Sequence, residues 1–408
     1  MENKNKNFLW VGILGLLVLA GLGAWIYQVS NGLIVTGMRN VVSWGLYITA
    51  FMYFVGLSAG GLIVSSSATV FNIPSFKKVS LPAVLLSVAC IVMAAGFIVV
   101  DIGKPQRLLN LIIHPQFRSP LMWDVIVITC YLIISVLYLY FMTQSNPDQR
   151  KITIMSRIAL PVAILVHSVT AWIFGLMISR VAWHSALMAP IFVASALDSG
   201  LALLLIVLWA LNRSGKFKMD DKLFSSLAGL LAVFVAVDAF FIGCEILTLV
   251  FPGEATVMKD LSLLFSGSLA PFFWGEMILG LLIPFLLLLF AKNREKKSIV
   301  LLASALIVIG VFFKRVWLLF SGFIYPMVPG ALGVTLGQYN QGVDSTFVPN
   351  IWAAQGYYAP TFVEILIFLG IISAGTLVFR FGFQWITKGE SGKTKIIGGN
   401  TIQQLGGK

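Results

Sequence analysis

Charged residues, cysteine and histidine are scarce in this 408-residue chain. Asp, Glu, Lys and Arg make up 11% of the positions, and there are three cysteines and three histidines. The cysteines lie singly in apolar segments without metal-binding spacing, which predicts packing residues and no iron-sulfur cluster in this chain: Cys90, Cys130 and Cys244. No two histidines lie at matching depth in facing segments, so bis-histidine haem is not expected, and no metal site is predicted.

Apolar residues make up 59% of the chain and recur in runs of about 20 residues, long enough to cross a hydrocarbon core. The runs are continuous rather than alternating, which indicates helices. The sequence therefore predicts an all-α polytopic membrane protein. Its ten predicted spans are Phe8 to Gln28, Val42 to Ser66, Leu81 to Val100, Leu121 to Met142, Ser156 to Ile178, Ala189 to Leu211, Phe224 to Val250, Ser268 to Ala291, Ser298 to Gly322 and Thr361 to Trp385.

The distribution of positive charge predicts the orientation. Of the 28 Lys and Arg residues, 20 fall in the two tails and in alternate connections, whereas six fall in the connections on the opposite side. Short cytoplasmic loops hold an excess of Lys and Arg, so both termini are expected to be cytoplasmic. The net charge of +12 follows this topology and indicates contact with anionic lipid rather than nucleic acid.

The chain divides into an amino-terminal transmembrane helix (1–35), a membrane domain (36–388) and a cytoplasmic tail (389–408). A long outer loop, 323–360, has no Lys or Arg and many aromatic residues, and it predicts either a docking segment or a lid. The segments Ser119 to Asp124 and Ala270 to Glu276 resemble each other, each opening a span. Four spans separate them, which predicts two four-helix bundles, spans 2 to 5 and 6 to 9, with spans 1 and 10 flanking.

Several ionisable residues interrupt the apolar spans. Each costs roughly 2.5 to 3.5 kcal/mol to insert, so such groups need partners or water and are functional candidates. The candidates for a proton relay are Asp198, Asp238, Glu276, Arg315 and Glu364. The alternative is that these charges neutralise each other, for example Arg315 with Glu245 or Glu276.

Other motifs resemble a known family. They are Thr36 to Tyr47, Phe54 to Gly61, Asp101-Ile-Gly-Lys-Pro-Gln-Arg107, Phe117-Arg-Ser-Pro120, Trp123-Asp124, His167, Trp183-His184, Pro190, Phe192 to Ala196 and Tyr358 to Glu364. The chain from about Thr36 to Lys388 resembles the NrfD/PsrC family of integral membrane subunits. The ten-span form is similar to membrane subunits of hydrogenase-linked, alternative complex III-like and sulfur-cycle redox complexes.

The resemblance implies a quinone-reactive anchor in a prokaryotic cell membrane, with menaquinone or ubiquinone as bound substrate and no redox metal in this chain. It implies electron exchange with a ferredoxin-like iron-sulfur subunit on the outer face, in many relatives beside a molybdopterin enzyme. Some relatives offer an Asn and His pair at the entrance to the first bundle helix. Here that region has Asn40 and Ser43 but no histidine, so His167 or His184 is expected to take part instead.

These considerations assign expected roles. The catalytic acids and bases are Asp101, Asp124, His167 and Glu245. The quinone-binding residues are Asn40, Ser43, Trp123, His167, Trp183 and His184. The residues that dock a partner or stabilise the loop are Lys104, Arg107, His114 and Arg118. Lys104, Arg107 and Arg118 would favour anionic forms of the quinone or hold the partner, and the alternative is that they pair with Asp101 and Asp124 to close the loop.

Two other functions compete with this assignment. A secondary transporter or proton pump would use Asp198, Asp238 and Glu276 as a relay, but the charges lie toward the outer side and the sequence shows no obvious interruption of a span. A purely structural anchor would leave the membrane acids without a role.

Overall fold

The computed structural model describes residues 2–71, 73–325, 356–387, 395–396 and 403–404. Ten helices there are long and apolar enough to cross a membrane, which confirms the predicted all-α polytopic fold. Spans 1 to 10 run Glu2–Asn31, Leu46–Val70, Ser80–Asp101, Pro120–Thr143, Gln149–Gly175, Met188–Arg213, Asp221–Val250, Ala270–Leu289, Lys297–Ile324 and Phe362–Thr387.

Shorter elements lie between the spans and in the carboxyl-terminal tail. The 3-10 turns are Leu33–Val35 and Pro105–Leu109, and the short helices are Pro74–Lys77, Asn110–Ile113, Ala255–Phe265 and Ala291–Arg294. Two-residue strands, Lys395–Ile396 and Gln403–Gln404, pair antiparallel. Because ten crossings return the chain to its starting side, we call the side of the two tails the terminal face. The side with the connections after spans 1, 3, 5, 7 and 9 is the distal face.

Span 2 begins at Leu46 rather than at the predicted Val42. The hydroxyl of Tyr358 accepts a hydrogen bond of 2.7 Å from the amide of Leu46, which satisfies one of the unpaired donors at the start of the helix. The Tyr358 ring also lies where a Cβ on Gly45 would be, at 2.5 Å. A tertiary contact therefore sets this boundary, and the apolar pattern does not reveal it.

Span 8 is helical throughout but changes its helical geometry, which the sequence does not predict. Its α-helix Ala270–Trp274 continues as a π-helix, Gly275–Leu282, before α-helical geometry resumes at Ile283–Leu289. Pro284 has no N–H to donate, so the regular ladder cannot continue through it. Wider π turns precede the proline, and such turns often occur at functional sites.

Helix contacts confirm the two predicted bundles with flanking spans. Spans 2, 3, 4 and 5 pack against one another in a ring, and spans 6, 7, 8 and 9 form a second ring. Spans 2 and 5 contact span 6, and span 2 also contacts span 9, so the bundles meet along these helices. Span 1 packs on span 10, which in turn packs on span 3.

Glycine pairs allow the closest helix crossings. A Cβ on Gly60 of span 2 would lie 2.3 Å from the Cα of Gly200 of span 6, so the first helices of the two bundles meet backbone to backbone. Similar crossings join Gly280 to Gly310 and Gly21 to Gly370. Small residues allow this close packing, which stabilises helix association in membranes.

We expect Gly60→Ala to destabilise the contact between the bundles. The added methyl group collides with backbone atoms that cannot rotate away, and overpacking of this kind costs about 1 to 3 kcal/mol. The thermal unfolding midpoint in detergent measures the effect. Gly12→Ala is the matched control because its Cβ would meet nothing within 4 Å. Equal midpoints for the two variants would contradict a tight crossing at Gly60.

Matching hydrogen bonds support the internal repeat. The indole of Trp123 donates to the carbonyl of Phe117 at 2.6 Å, and the indole of Trp274 donates to the carbonyl of Phe265 at 3.0 Å. The acid that follows each tryptophan also accepts a hydrogen bond from a side chain of the next span. Asp124 accepts from Thr170 of span 5, whereas Glu276 accepts from Trp317 of span 9. Spans 4 and 8 therefore occupy equivalent places in their bundles.

Candidate functional site

An apolar groove of about 730 Å³, which we call the long groove, is the candidate site. It lies among spans 2, 3, 6, 9 and 10, and its aromatic wall includes Tyr53, Phe312 and Phe368. Along span 10 it extends from Ile365 to Phe379, about 21 Å at 1.5 Å per residue. This exceeds the depth of one leaflet in a hydrocarbon core of about 30 Å. The long groove is therefore suited to a long apolar chain.

Polar groups gather where the long groove reaches the distal face, at Leu46 and Pro360. The hydroxyl of Tyr358 donates to Glu364 at 2.6 Å, and the amide of Gly37 donates to the same carboxylate at 2.7 Å. Burial, reinforced by the Glu364 carboxylate, raises the pKa of Tyr358 above its ordinary value. Tyr358 is consequently a neutral donor that joins the connection before span 10 to the start of span 2.

Asp101 belongs to the same polar region. One of its carboxylate oxygens is buried without a hydrogen-bond partner. Tyr47 lies within electrostatic range of both Asp101 and Glu364, but its hydroxyl already donates to Gln28 at 2.6 Å. Gln28 in turn donates to the carbonyl of Val100 at 2.8 Å. Asp101 thus retains acceptor capacity beside a network that is otherwise hydrogen-bonded.

Glu364, a predicted relay residue, contacts this distal region instead of the other predicted relay groups. It accepts a hydrogen bond of 2.9 Å from the amide of Thr361, and its own amide donates to the Thr361 hydroxyl at 3.4 Å. This reciprocal pair is a capping box that starts span 10. The observed contacts of Glu364 are therefore those of a carboxylate that fixes the end of a helix.

Three other relay candidates and a lysine meet within the second bundle. The ammonium group of Lys314 lies 2.8 Å from both carboxylate oxygens of Asp238 and 3.3 Å from Glu276. The indole of Trp317 donates to Glu276 at 2.5 Å. Asp198 lies within electrostatic range of Lys314, and both of its buried carboxylate oxygens lack a hydrogen-bond partner. We call Asp198, Asp238, Glu276 and Lys314 the ionic cluster.

Arg315 does not form the ion pair that the alternative of mutual neutralisation offers for it. Among the described residues no ion pair joins it to Glu245 or Glu276, and Lys314 lies beside Glu276 instead. Its guanidinium group donates to Ser195 at 2.7 Å and lies 4.1 Å from the centre of the Phe192 ring. A helix presents successive side chains about 100° apart, so adjacent Lys314 and Arg315 face different neighbours.

The remaining predicted catalytic residues do not converge on one point. Asp124 accepts a hydrogen bond of 2.6 Å from Thr170. His167 is buried; its Nδ1 lies 2.9 Å from the carbonyl oxygen of Ala163, and its Nε2 has no partner. Glu245 accepts from Ser185 at 2.6 Å and lines a narrow cleft beside Asp260 in the second bundle. Burial raises the pKa of Asp260 to about 6, although nearby Lys259 opposes the rise.

Both predicted tryptophan ligands use their N–H groups within the protein. The indole of Trp123 donates to Phe117, and that of buried Trp183 donates to the carbonyl of Leu318 at 2.7 Å. Trp183 also stacks on Trp44, with ring centres 6.4 Å apart. Neither N–H is therefore free for a ligand. The other three candidates, Asn40, Ser43 and His184, are exposed on the distal face.

The basic residues between Asp101 and Asp124 do not close that connection by ion pairing, so this one of their alternative predicted roles is not observed, and partner docking stays a prediction. Lys104, Arg107, His114 and Arg118 are exposed, and no ion pair joins them to either aspartate within the described ranges. Instead, Gly103 turns the backbone at a φ of +71°, and a Cβ there would lie 2.8 Å from Leu33. The turn at Gly103 and the hydrogen bond from Trp123 to Phe117 therefore shape the connection between Asp101 and Asp124.

Sequence reasoning missed several members of the site. From the sequence, Tyr47 and Tyr358 appear only within motifs and Gln28 only as the end of a span, and Lys314 is assigned no role. Gln28 could have been recognised as a candidate because it is a polar side chain at the end of an apolar run. The predicted docking or lid function of 323–360 falls largely outside the described residues. The described residues contain no group of three or more His, Cys, Asp or Glu side chains placed to hold a metal.

Comparisons with known proteins identify the family. The family model described as "Polysulphide reductase, NrfD" matches residues 34–327. The chain is 37% identical to a Halobacterium salinarum protein named as a membrane subunit of dimethyl sulfoxide reductase, covering 92% of this chain and 90% of that one. It is 30% identical to the Hdr-like menaquinol oxidoreductase integral membrane subunit of Archaeoglobus fulgidus, covering 90% of each. It is 24% identical to a selenate reductase subunit of Mesobacillus selenatarsenatis, covering 93% of each. The chain therefore belongs to the NrfD family of integral membrane subunits.

Proposed function

We propose that this chain exchanges electrons between a membrane quinone and a partner subunit on the distal face. The observation that carries the proposal is the long groove, whose distal end at Leu46 and Pro360 adjoins the hydrogen-bonded Tyr358. The partly unpartnered Asp101 carboxylate does not line the groove but lies within electrostatic range of Tyr47 and Glu364 in the same polar region. Its volume of about 730 Å³ falls within the range of roughly 300 to 1,000 Å³ typical of small-molecule sites. A quinone has the matching shape, with an apolar isoprenoid tail and a polar ring at one end.

In this proposal the long groove holds the tail and directs the ring toward Asp101. The free oxygen of Asp101 accepts a proton from one quinol hydroxyl, which is general base catalysis, and passes it to water at the distal face before it accepts the proton of the second hydroxyl. The quinol thus loses two protons and two electrons and leaves as quinone. Tyr47, Gln28, Tyr358 and Glu364 keep the surrounding backbone in place through the hydrogen bonds described above. The exposed Asn40 and Ser43 lie on the connection that leads into span 2.

The two electrons leave through the distal face to a redox partner. Two relatives are named as membrane subunits of menaquinone-linked oxidoreductases, which supports menaquinone as the substrate class. The family resemblance supports a ferredoxin-like iron-sulfur subunit as the acceptor, beside a molybdopterin enzyme. The excess of Lys and Arg on the terminal face supports a cytoplasmic location for both tails. The partner then docks on the outer surface of the membrane.

A groove-filling variant tests where the tail lies. Ala89 of span 3 lines the long groove, so Ala89→Phe is expected to displace part of a bound tail. Losing the burial of about two methylene groups raises KM roughly tenfold for a long-tailed quinol. A tailless quinol such as menadiol should be oxidised as before. Steady-state oxidation of both substrates by the purified complex measures the difference.

Val92→Phe is the matched control. Val92 lies on the same span but is 40% exposed and does not line the long groove. It should oxidise both substrates normally. Equal KM values for the long-tailed quinol in the Ala89 and Val92 variants would contradict binding of the tail in the long groove. If the wild-type complex oxidised neither quinol, the proposed function itself would fail.

A second candidate function is proton translocation coupled to this redox chemistry. The ionic cluster favours it, because Asp198 has two buried oxygens without partners beside the Lys314 pairings. Glu276 also lies within the π-helical segment of span 8. A reconstituted complex that acidifies one side of a vesicle during quinol oxidation would support pumping if more protons appear than the quinol itself releases.

A further inference from the structure

A second groove lies on the opposite bundle, between spans 7 and 8. It has a volume of about 360 Å³, and eight of its nine lining residues are apolar or glycine. Val233, Phe240 and Leu289 on its walls are 56%, 65% and 48% exposed in the isolated chain. In a membrane these faces meet lipid, because they belong to two transmembrane helices. We call this cavity the short groove.

The short groove has the length of a single leaflet. It extends along span 7 from Gly229 to Phe240, about 17 Å at 1.5 Å per residue. Half of a hydrocarbon core is about 15 Å thick. The long groove is deeper than one leaflet, whereas the short groove matches one acyl chain that enters from the terminal face.

A guanidinium group lies at the terminal end of the short groove. Arg294 is half-buried there, and a Cβ on Gly229 would lie 3.6 Å from its Nη1. The only hydrogen bond observed for its side chain within the described residues is a long one of 3.4 Å to the carbonyl of Leu288. An arginine has five N–H donors in a planar fork, and this geometry suits a phosphate. Most of the donor capacity of Arg294 therefore remains available.

We propose that the short groove binds an anionic phospholipid from the leaflet of the terminal face. One acyl chain lies along Ala232, Ala236 and Phe240, and the phosphate accepts hydrogen bonds from Arg294. The neighbouring Lys296 is exposed and adds positive charge, whereas Lys297 is paired with Asp221 at 2.7 Å. Basic pockets between transmembrane helices bind anionic headgroups in this way. This site is separate from the long groove and does not depend on quinone chemistry.

Two variants test the two halves of the short groove. Arg294→Gln removes the phosphate donor, and Ala236→Phe fills the acyl channel without changing charge. Each variant is expected to retain about tenfold less bound phosphatidylglycerol than the wild type. Arg294→Gln loses a charge-assisted hydrogen bond, and Ala236→Phe loses the burial of methylene groups of the lipid. Native mass spectrometry of the intact protein, purified in mild detergent, counts the phospholipids that remain bound.

Lys292→Gln is the matched control, because Lys292 lies on the same short helix but does not line the short groove. It should retain phosphatidylglycerol like the wild type. Added phosphatidylglycerol, but not phosphatidylcholine, should also raise the Tm of wild type and of Lys292→Gln, with little effect on Arg294→Gln. Unchanged retention in both groove variants would overturn the site. If Lys292→Gln lost as much bound phosphatidylglycerol as the groove variants, the lipid would be held by general attraction to a basic surface and not by the short groove.

Discussion

Asp101→Asn is expected to lower quinol oxidation about a hundredfold or more while the complex still assembles. Asparagine keeps the size of aspartate but cannot accept a proton, and a positioned general base contributes about 10² to 10⁴ in rate. The substitution is mild structurally because one Asp101 oxygen has no hydrogen-bond partner to lose. Quinol oxidation by the purified complex gives the rate, and co-purification of the partner subunits gives the assembly.

Glu254→Gln is the control for this prediction. Glu254 is an exposed carboxylate in the connection after span 7, so its substitution removes the same charge far from the long groove. Its oxidation rate should equal that of the wild type. Near-normal quinol oxidation by an assembled Asp101→Asn complex would remove Asp101 from the mechanism. Among the predicted acids and bases, Asp124, His167 and Glu245 would then be the next to test.

Lys314→Met is expected to cause the largest loss of stability, about 3 to 5 kcal/mol. The substitution leaves Asp238 and Glu276 buried without their cation, and an unpaired buried charge costs more than the pair contributes. We expect a sharply lower Tm and a low yield of folded protein. Lys222→Met, at an exposed position at the start of span 7, should leave both unchanged.

The double variant Lys314→Met and Asp238→Asn separates stability from proton transfer. Removing both members of the closest ion pair restores the net charge of the ionic cluster, although Glu276 still lacks its cation, so part of the lost stability should return. If the double variant folds and oxidises quinol but no longer moves protons beyond those released by quinol, the ionic cluster is a relay. If proton movement persists in that variant, the ionic cluster is structural.

Much of the architecture could be predicted because membranes impose a simple rule on the sequence. An apolar run of about 20 residues must cross as a helix, so the ten spans follow from hydropathy. The repeat of proline, tryptophan and acid at Pro120 and Pro271 also located equivalent helices in the two bundles. It could not show that both tryptophans donate to phenylalanine carbonyls, since a hydrogen bond to backbone carries no sequence signal.

Site residues were harder to predict, because the composition shows which charges are buried but not which ones meet. Arg315 and Lys314 are adjacent and both cationic, yet only Lys314 reaches Asp238 and Glu276. Glu364 has the composition of a relay acid, but its contacts are those of a helix cap. Trp123 and Trp183 lie in motifs of the family, and both donate their N–H groups to backbone carbonyls.

The sequence by itself determined the membrane class, the number of spans, the charge asymmetry of the two faces and the family. These properties depend on local composition, which each segment carries alone. Only the tertiary structure decided that span 10 packs beside spans 2, 3 and 9 to form the long groove with Asp101 near its distal end, and that Arg294 closes the short groove. Those features depend on side chains that helix packing brings together from positions up to hundreds of residues apart. Hydropathy does not indicate which helices pack against each other.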